Sequence, residues 1–174
     1  MSGLVFARLC GYFFLGFLIV KLSVAGVEFS MVAKNVAAIG VGIVDGLARV
    51  AGVPYRNAKS ALFAQGIRDL EELVVALGGR EDTVRGLAGL GDALVTSLGG
   101  RNRLYGELVG EGAEPATALR ELTDKGMTVE GVESAVDVRR LARDAGLDLP
   151  LFSQVHAILF DGEPAETVFG CLKG

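Results

Sequence analysis

At 174 residues the chain suffices for one domain with a sizeable core and a short appendage, and is too short for two full catalytic domains. Its 21 acidic and 17 basic residues give a formal net charge of −4 and are spread along the sequence, so no basic stripe offers itself to a phosphate backbone and nucleic acid is not an expected partner. Cys10 and Cys171 stand at opposite ends, without CxxC or Cys/His spacing, and His156 is the single histidine. No metal set is expected, any Ser-His-Asp triad would have to be built around that one imidazole, and reduced cysteines suit a cytoplasmic protein.

In chain order, the first segment, residues 1–27, is apolar almost throughout, interrupted by Arg8 and Lys21. Three readings stay open for it. A tilted helix over residues 4–27 could span or anchor in a membrane, with Lys21 snorkelling to the interface. A signal peptide would use Arg8 as its basic region and Ser23-Val24-Ala25 as its cleavage site. A shifted gene start would leave the segment without an evolved role.

From residue 28 to 174 the apolar periodicity is helical, and no alternating run long enough for a sheet occurs. Val32, Val36, Ile39, Ile43, Leu47 and Val50 share one face of a helix ending near Gly52. Phe63, Ile67, Leu70, Val74 and Leu77 do the same in a second helix, which Asn57 is expected to cap and Gly78-Gly79 to stop. A glycine-punctuated stretch, residues 78–112, then carries short helical pieces over 83–88, 92–98 and 103–109. Helices over 114–122, 132–145, 152–160 and 164–172 follow, with Gly146 closing the second of these and prolines at entry points. The expectation is an all-α bundle of about seven to nine helices.

Four patterns in this frame carry chemistry. Lys34-Asn35 sits in the apolar run Met31 to Val36; a lysine so flanked is partly withdrawn from water, a setting that suits proton exchange with a substrate, although a surface lysine on a polar face has the same neighbours. Gly89-Leu90-Gly91-Asp92 permits close backbone approach before an acidic residue, which could equally be a plain helix N-cap. Gly99-Gly100-Arg101-Asn102-Arg103 sets two guanidiniums and an amide after flexible glycines, suiting a phosphate or an ordinary solvated loop. Thr128-Val129-Glu130-Gly131 offers a carboxylate to a ribose hydroxyl or to the first turn of a helix.

In this order and at these spacings, together with Asn57-Ala58-Lys59-Ser60-Ala61-Leu62 and Gly86-Leu87-Ala88, the patterns resemble the bacterial and archaeal type of NAD(P)-dependent glycerol-3-phosphate dehydrogenase, over about residues 26–173. The resemblance implies its helical substrate domain, a bundle like the C-terminal domain of 6-phosphogluconate dehydrogenase. It further implies Lys34 as proton donor and acceptor at C2 of dihydroxyacetone phosphate or glycerol 3-phosphate. Asp92 would orient Lys34 or bond substrate hydroxyls, and Gly100, Arg101 and Asn102 would form the phosphate loop. Arg101, Thr128 and Glu130 would reach the cofactor, NAD or NADP.

The sequence departs from that pattern at three places. Gly100 stands where the family usually has a serine, Gln65 where it typically has an arginine, and no GxGxxG turn after a strand precedes Lys34, Gly40-Val41-Gly42 lacking both the strand and the third glycine. The expected arrangement is therefore a substrate domain inactive by itself, with the nucleotide-binding fold supplied by a separate chain or the whole assembled as a homodimer. The alternatives are a non-catalytic remnant and a membrane-tethered module for a phosphorylated ligand.

Overall fold

The structure, a computed structural model, describes residues 3–172, with side chains from Val24 onward. Helix α1 runs from Gly3 to Ala51, α2 from Arg56 to Ala76 and α3 from Glu81 to Arg85. A π-helical turn, Leu87–Gly91, leads without a break into α4, Asp92–Leu98. The helices α5 (Arg101–Gly110), α6 (Pro115–Asp124), α7 (Glu130–Ala145) and α8 (Pro150–Phe160) follow, and a 3₁₀ segment, Ala165–Leu172, ends the fold. Among the described residues there is no strand, so the all-α expectation holds.

Helix α1 is the spindle. The sequence suggested one apolar stripe, yet every residue from Asn35 to Val44 is buried, because α2, α4, α5, α7 and α8 surround the helix on all sides. Val50, counted in that stripe, is exposed at the helix end. The stretch Val24–Ala51 contains an 18-residue window with a mean hydropathy of 1.5 and is long and apolar enough to cross a membrane by length and composition, but most of that window is buried inside the bundle. Core helices pass the same test. The backbone continues as helix through residue 27, and the anchor and signal readings concern side chains outside the described residues.

Glycines bring α1 and α5 into backbone contact. Gly42 and Gly46 on α1 face Gly106 and Gly110 on α5, both at a spacing of four, so the four share the helix crossing. A Cβ at Gly106 would lie 2.2 Å from the Ile39 carbonyl oxygen, and one at Gly42 would lie 2.1 Å from that of Arg103. The backbones touch there, which brings the start of α5 against the middle of α1. Gly42, which superficially suggested part of a phosphate-binding turn, is thus a packing residue.

Helix α2 buries Leu62, Leu70, Leu73 and Val74, a stripe shifted slightly from the expected one, each leucine contributing about 2 kcal/mol of apolar burial. On the same face Asp69 is fully buried and caps α8: its Oδ2 accepts from the backbone N–H of Leu151 (2.8 Å) and of Phe152 (3.1 Å). Gln65 Nε2 donates to the other oxygen at 2.7 Å, and burial still pushes the Asp69 carboxyl up to about 6. Gln65, where the resemblance calls for arginine, is therefore a neutral partner inside the fold.

Several termini differ from expectation. Asn57 does not cap α2, which starts two residues earlier than that cap would place it, with Tyr55 in the cap position. The piece expected over 83–88 divides into α3 and the π-helical turn, because Gly89 folds back so closely that a Cβ would sit 2.2 Å from the Val84 carbonyl. The last helix is 3₁₀ rather than α. Glu114 does cap α6, accepting from the N–H groups of Ala116 and Thr117, and Gly146 closes α7 at φ 66°.

Candidate functional site

Lys34 projects from α1 toward the first turn of α4, where its ammonium pairs with the Asp92 carboxylate. The lysine side chain is 16% exposed and the aspartate 40%, so the pair sits at the rim of the core with one side open. Asp92 was open to reading as a helix cap, but Gly91 before it is already helical and the π-helical turn continues straight into α4. With no helix start to cap, the carboxylate is free to hold the lysine. Thr96, one turn on, donates its hydroxyl to the Asp92 carbonyl at 2.7 Å.

A second set of contacts ties the remaining motifs to the same place. Asn35, adjacent to Lys34 and buried, accepts from Asn102 Nδ2 at 2.9 Å, and Asn102 Oδ1 accepts from the Gly131 N–H at 2.9 Å. One amide thereby joins α1, the start of α5 and the start of α7. Gly131 is required there, since a Cβ would meet Ile39 Cδ1 at 2.6 Å and Asn102 Oδ1 at 2.9 Å. Arg101 and Glu130, each adjacent to one member of this bridge, form an ion pair at 3.6 Å and are 51% and 62% exposed. Thr128, two residues before Glu130 in the chain, is exposed. The long distance and exposure leave the Arg101 guanidinium free to exchange its partner for another anion.

The two arginines of the glycine loop have separate fates. Arg103 is taken up internally, its Nε and Nη2 on Asp45 at 2.8 Å each and Nη2 on Glu107 at 2.8 Å. Lys59 also binds Asp45, and Arg49 binds Glu107 and Glu111, so these charges form a ladder bracing α1, α2 and α5. Arg101 is the guanidinium left at the surface. Asn102, expected to grip a phosphate, has only one N–H and one lone pair to spare after bridging the helices. Gly100 has φ 102° and ψ 176°, backbone that L side chains rarely adopt, so the loop is shaped around a glycine and a serine there would be strained. Asn35 was seen in the sequence only as the neighbour of Lys34; its signal was a polar residue within an otherwise apolar helix face. His156 lies elsewhere, on α8 beside Asp161 and Phe160.

The family model described as NAD-dependent glycerol-3-phosphate dehydrogenase C-terminus matches residues 23–170. The chain belongs to this family. A glycerol-3-phosphate dehydrogenase [NAD(P)+] of Janthinobacterium sp. strain Marseille is 43% identical over 146 residues, covering 82% of this chain and 42% of that protein. A second, from Thermoanaerobacter sp. strain X514, is 38% identical over 158 residues, covering 89% and 46%. The crystal structure of glycerol-3-phosphate dehydrogenase from Coxiella burnetii superposes with a TM-score of 0.76 at 34% identity, covering 84% of this chain and 43% of that one. The chain thus spans less than half the length of the glycerol-3-phosphate dehydrogenases it matches. The matched residues include the Lys34–Asp92 and Arg101–Glu130 ion pairs.

Proposed function

We propose that the chain is the substrate domain of an NAD(P)-dependent glycerol-3-phosphate dehydrogenase, acting at C2 of dihydroxyacetone phosphate and glycerol 3-phosphate. The observation that carries this reading is the convergence of a half-sheltered, carboxylate-paired lysine with an unburied guanidinium, linked through Asn35 and Asn102. Lys34 acts at the reacting oxygen. As the carbonyl of dihydroxyacetone phosphate is reduced, negative charge develops on that oxygen and the ammonium donates its proton to it; in the oxidative direction the amine takes the proton back. Asp92 fixes the position of the lysine through their ion pair. Arg101 holds the phosphate by charged hydrogen bonds, releasing Glu130 to do so.

The residues fit an edge contact with a nicotinamide cofactor. Arg101, Thr128 and Glu130 are exposed at the starts of α5 and α7, and their donor and acceptor chemistry suits a phosphate and ribose hydroxyls. When bound, that cofactor supplies or accepts the hydride. The described residues are helical and contain no strand followed by a glycine-rich turn, so the pyrophosphate cradle falls to a nucleotide-binding fold outside them, in the same polypeptide or a separate chain. By itself residues 1–174 would bind substrate weakly and show no dihydroxyacetone phosphate reductase activity.

Ligand-observed NMR titration of the full chain tests the substrate assignment. Glycerol 3-phosphate is expected to bind in the millimolar range as an order of magnitude, with at least about tenfold weakening in Arg101→Ala and no comparable binding of glycerol. Equal binding by the native and Arg101→Ala chains, or by phosphorylated and unphosphorylated glycerol, would refute the phosphate role.

A further inference from the structure

Gly99 and Gly100 join α4 to α5 and deliver Arg101, yet nothing packs against them: a Cβ at either would meet no atom beyond its chain neighbours within 4 Å. Arg101 itself is half exposed and has only the 3.6 Å ion pair with Glu130. Two successive glycines have more backbone freedom than any other pair, so a contact elsewhere has to fix the direction in which Arg101 leaves α4.

Arg103 makes that contact. Its Nη1 donates to the carbonyl oxygen of Leu98, the last residue of α4, at 3.1 Å, an acceptor that the end of a helix leaves without an internal partner. The same guanidinium reaches Asp45 on α1 through Nε and Nη2 and Glu107 in α5 through Nη2. One side chain, planted just after the glycine pair, therefore holds the residue just before it. Arg103 is only 25% exposed, and Lys59 on α2 keeps its anchor Asp45 in place. The bonds close a circuit: α4 is tied to α1 at its first turn through Asp92 and Lys34, and at its last residue through Leu98, Arg103 and Asp45. Lys34 and Asp45 stand on one helix, roughly 16 Å apart along its axis, so a single rigid element sets the separation of the lysine from the arginine loop.

We propose that Arg103 is a positioning residue for the substrate's phosphate: by clamping the Leu98 carbonyl to Asp45 it fixes the Gly99-Gly100 loop and holds Arg101 at a set distance from Lys34. The inference rests on the reading of Arg101 as the phosphate-binding guanidinium. The task requires an arginine. A lysine at 103 keeps a charge for Asp45, but a single ammonium does not span acceptors on three helices as a planar fork does.

Arg103→Lys in the full chain tests this by releasing the Leu98 carbonyl while the charge stays. In ligand-observed NMR titrations glycerol 3-phosphate should bind the variant about threefold to tenfold more weakly, because the loop must then be ordered on binding. Added to Arg101→Ala, the same substitution should cause no further weakening, since its effect passes through Arg101. Lys59→Gln is the stability control: it breaks the ion network on the α2 side, leaves the Leu98 bond, and should bind within about twofold of the native chain. Backbone amide relaxation should give order parameters near about 0.85 at Gly99 and Gly100 in the native chain, a measurement that needs no variant to fold, and below about 0.6 in Arg103→Lys. Native-like binding by Arg103→Lys when Arg101→Ala is weakened, additive losses in the double variant, an equal loss in Lys59→Gln, or a native loop with low order parameters would each overturn this inference and leave the phosphate reading standing. Unchanged binding in Arg101→Ala would remove both.

Discussion

Gly106→Ala examines the α1–α5 crossing on which the site rests. The added methyl carbon would stand 2.2 Å from the Ile39 carbonyl oxygen and 3.0 Å from Gly42 Cα, both backbone atoms that cannot swing aside. The helices would have to part by roughly 1 Å to relieve the contact, with the loss of close packing along the whole interface. Overpacking of this kind costs about 1–3 kcal/mol, and a collision with backbone belongs at the upper end. Against it stands a gain of about 1 kcal/mol from replacing glycine by alanine within a helix. The net expectation is a loss of about 1–2 kcal/mol, or a fall in Tm of about 2–8 °C for a chain of this size. Gly40→Ala on α1 is the matched control. Its Cβ would meet only side-chain ends, Leu151 Cδ1 at 3.1 Å and Val155 Cγ2 at 3.3 Å, which can adjust. Thermal unfolding followed by circular dichroism compares the two. If Gly106→Ala melts at or above the native temperature, or if Gly40→Ala is the more damaged of the pair, direct backbone contact does not set the helix spacing.

Three further outcomes follow from the geometry. With a relative's nucleotide-binding domain fused to the chain, Lys34→Ala should lower dihydroxyacetone phosphate reduction by about 10²-fold to 10⁴-fold while the circular dichroism spectrum is retained; unchanged turnover would remove Lys34 from the chemistry. Gly100→Ser, although it introduces the residue typical of the family, should destabilise by about 1–3 kcal/mol because φ is 102° there, and a Tm equal to that of the native chain would contradict the loop conformation. Asp69 has a folded pKa raised to about 6 from 3.8, so its contribution to stability is fully present below about pH 4 and is lost as pH rises through about 6. That loss is worth up to about 3 kcal/mol. In Asp69→Asn the amide oxygen can still accept from Leu151 and Phe152 if Gln65 turns its own amide, so urea denaturation of the variant should show this decline between pH 4 and 7 removed; an identical decline in both proteins would assign it to another group.

The sequence by itself determined the all-helical class, because apolar residues recur at helical spacing from Val32 to Leu172 and the glycine and proline punctuation marks most of the breaks. It also determined the family, because four short motifs in fixed order are far more specific than any one of them. Local patterns could not say which helix is central. A stripe reading assigns α1 one buried face, whereas its burial on all sides depends on how many partners pack around it, a tertiary property. The same holds for the site. Lys34, Asp92, Arg101 and Glu130 were legible as candidates, but only the family resemblance preferred Arg101; residue chemistry and spacing do not distinguish it from Arg103, two residues on and chemically identical. Tertiary structure supplies the physical difference by placing Asp45 and Glu107 against Arg103 and leaving Arg101 at the surface beside Glu130, 29 positions away in sequence. It likewise released Asp92 from capping by running the π-helical turn into α4, and it committed Asn102 to a bridge between Asn35 and Gly131. Side-chain chemistry says what a residue is able to bind; the long-range packing of helices, here set by backbone contact at Gly42 and Gly106, decides which partner reaches it first.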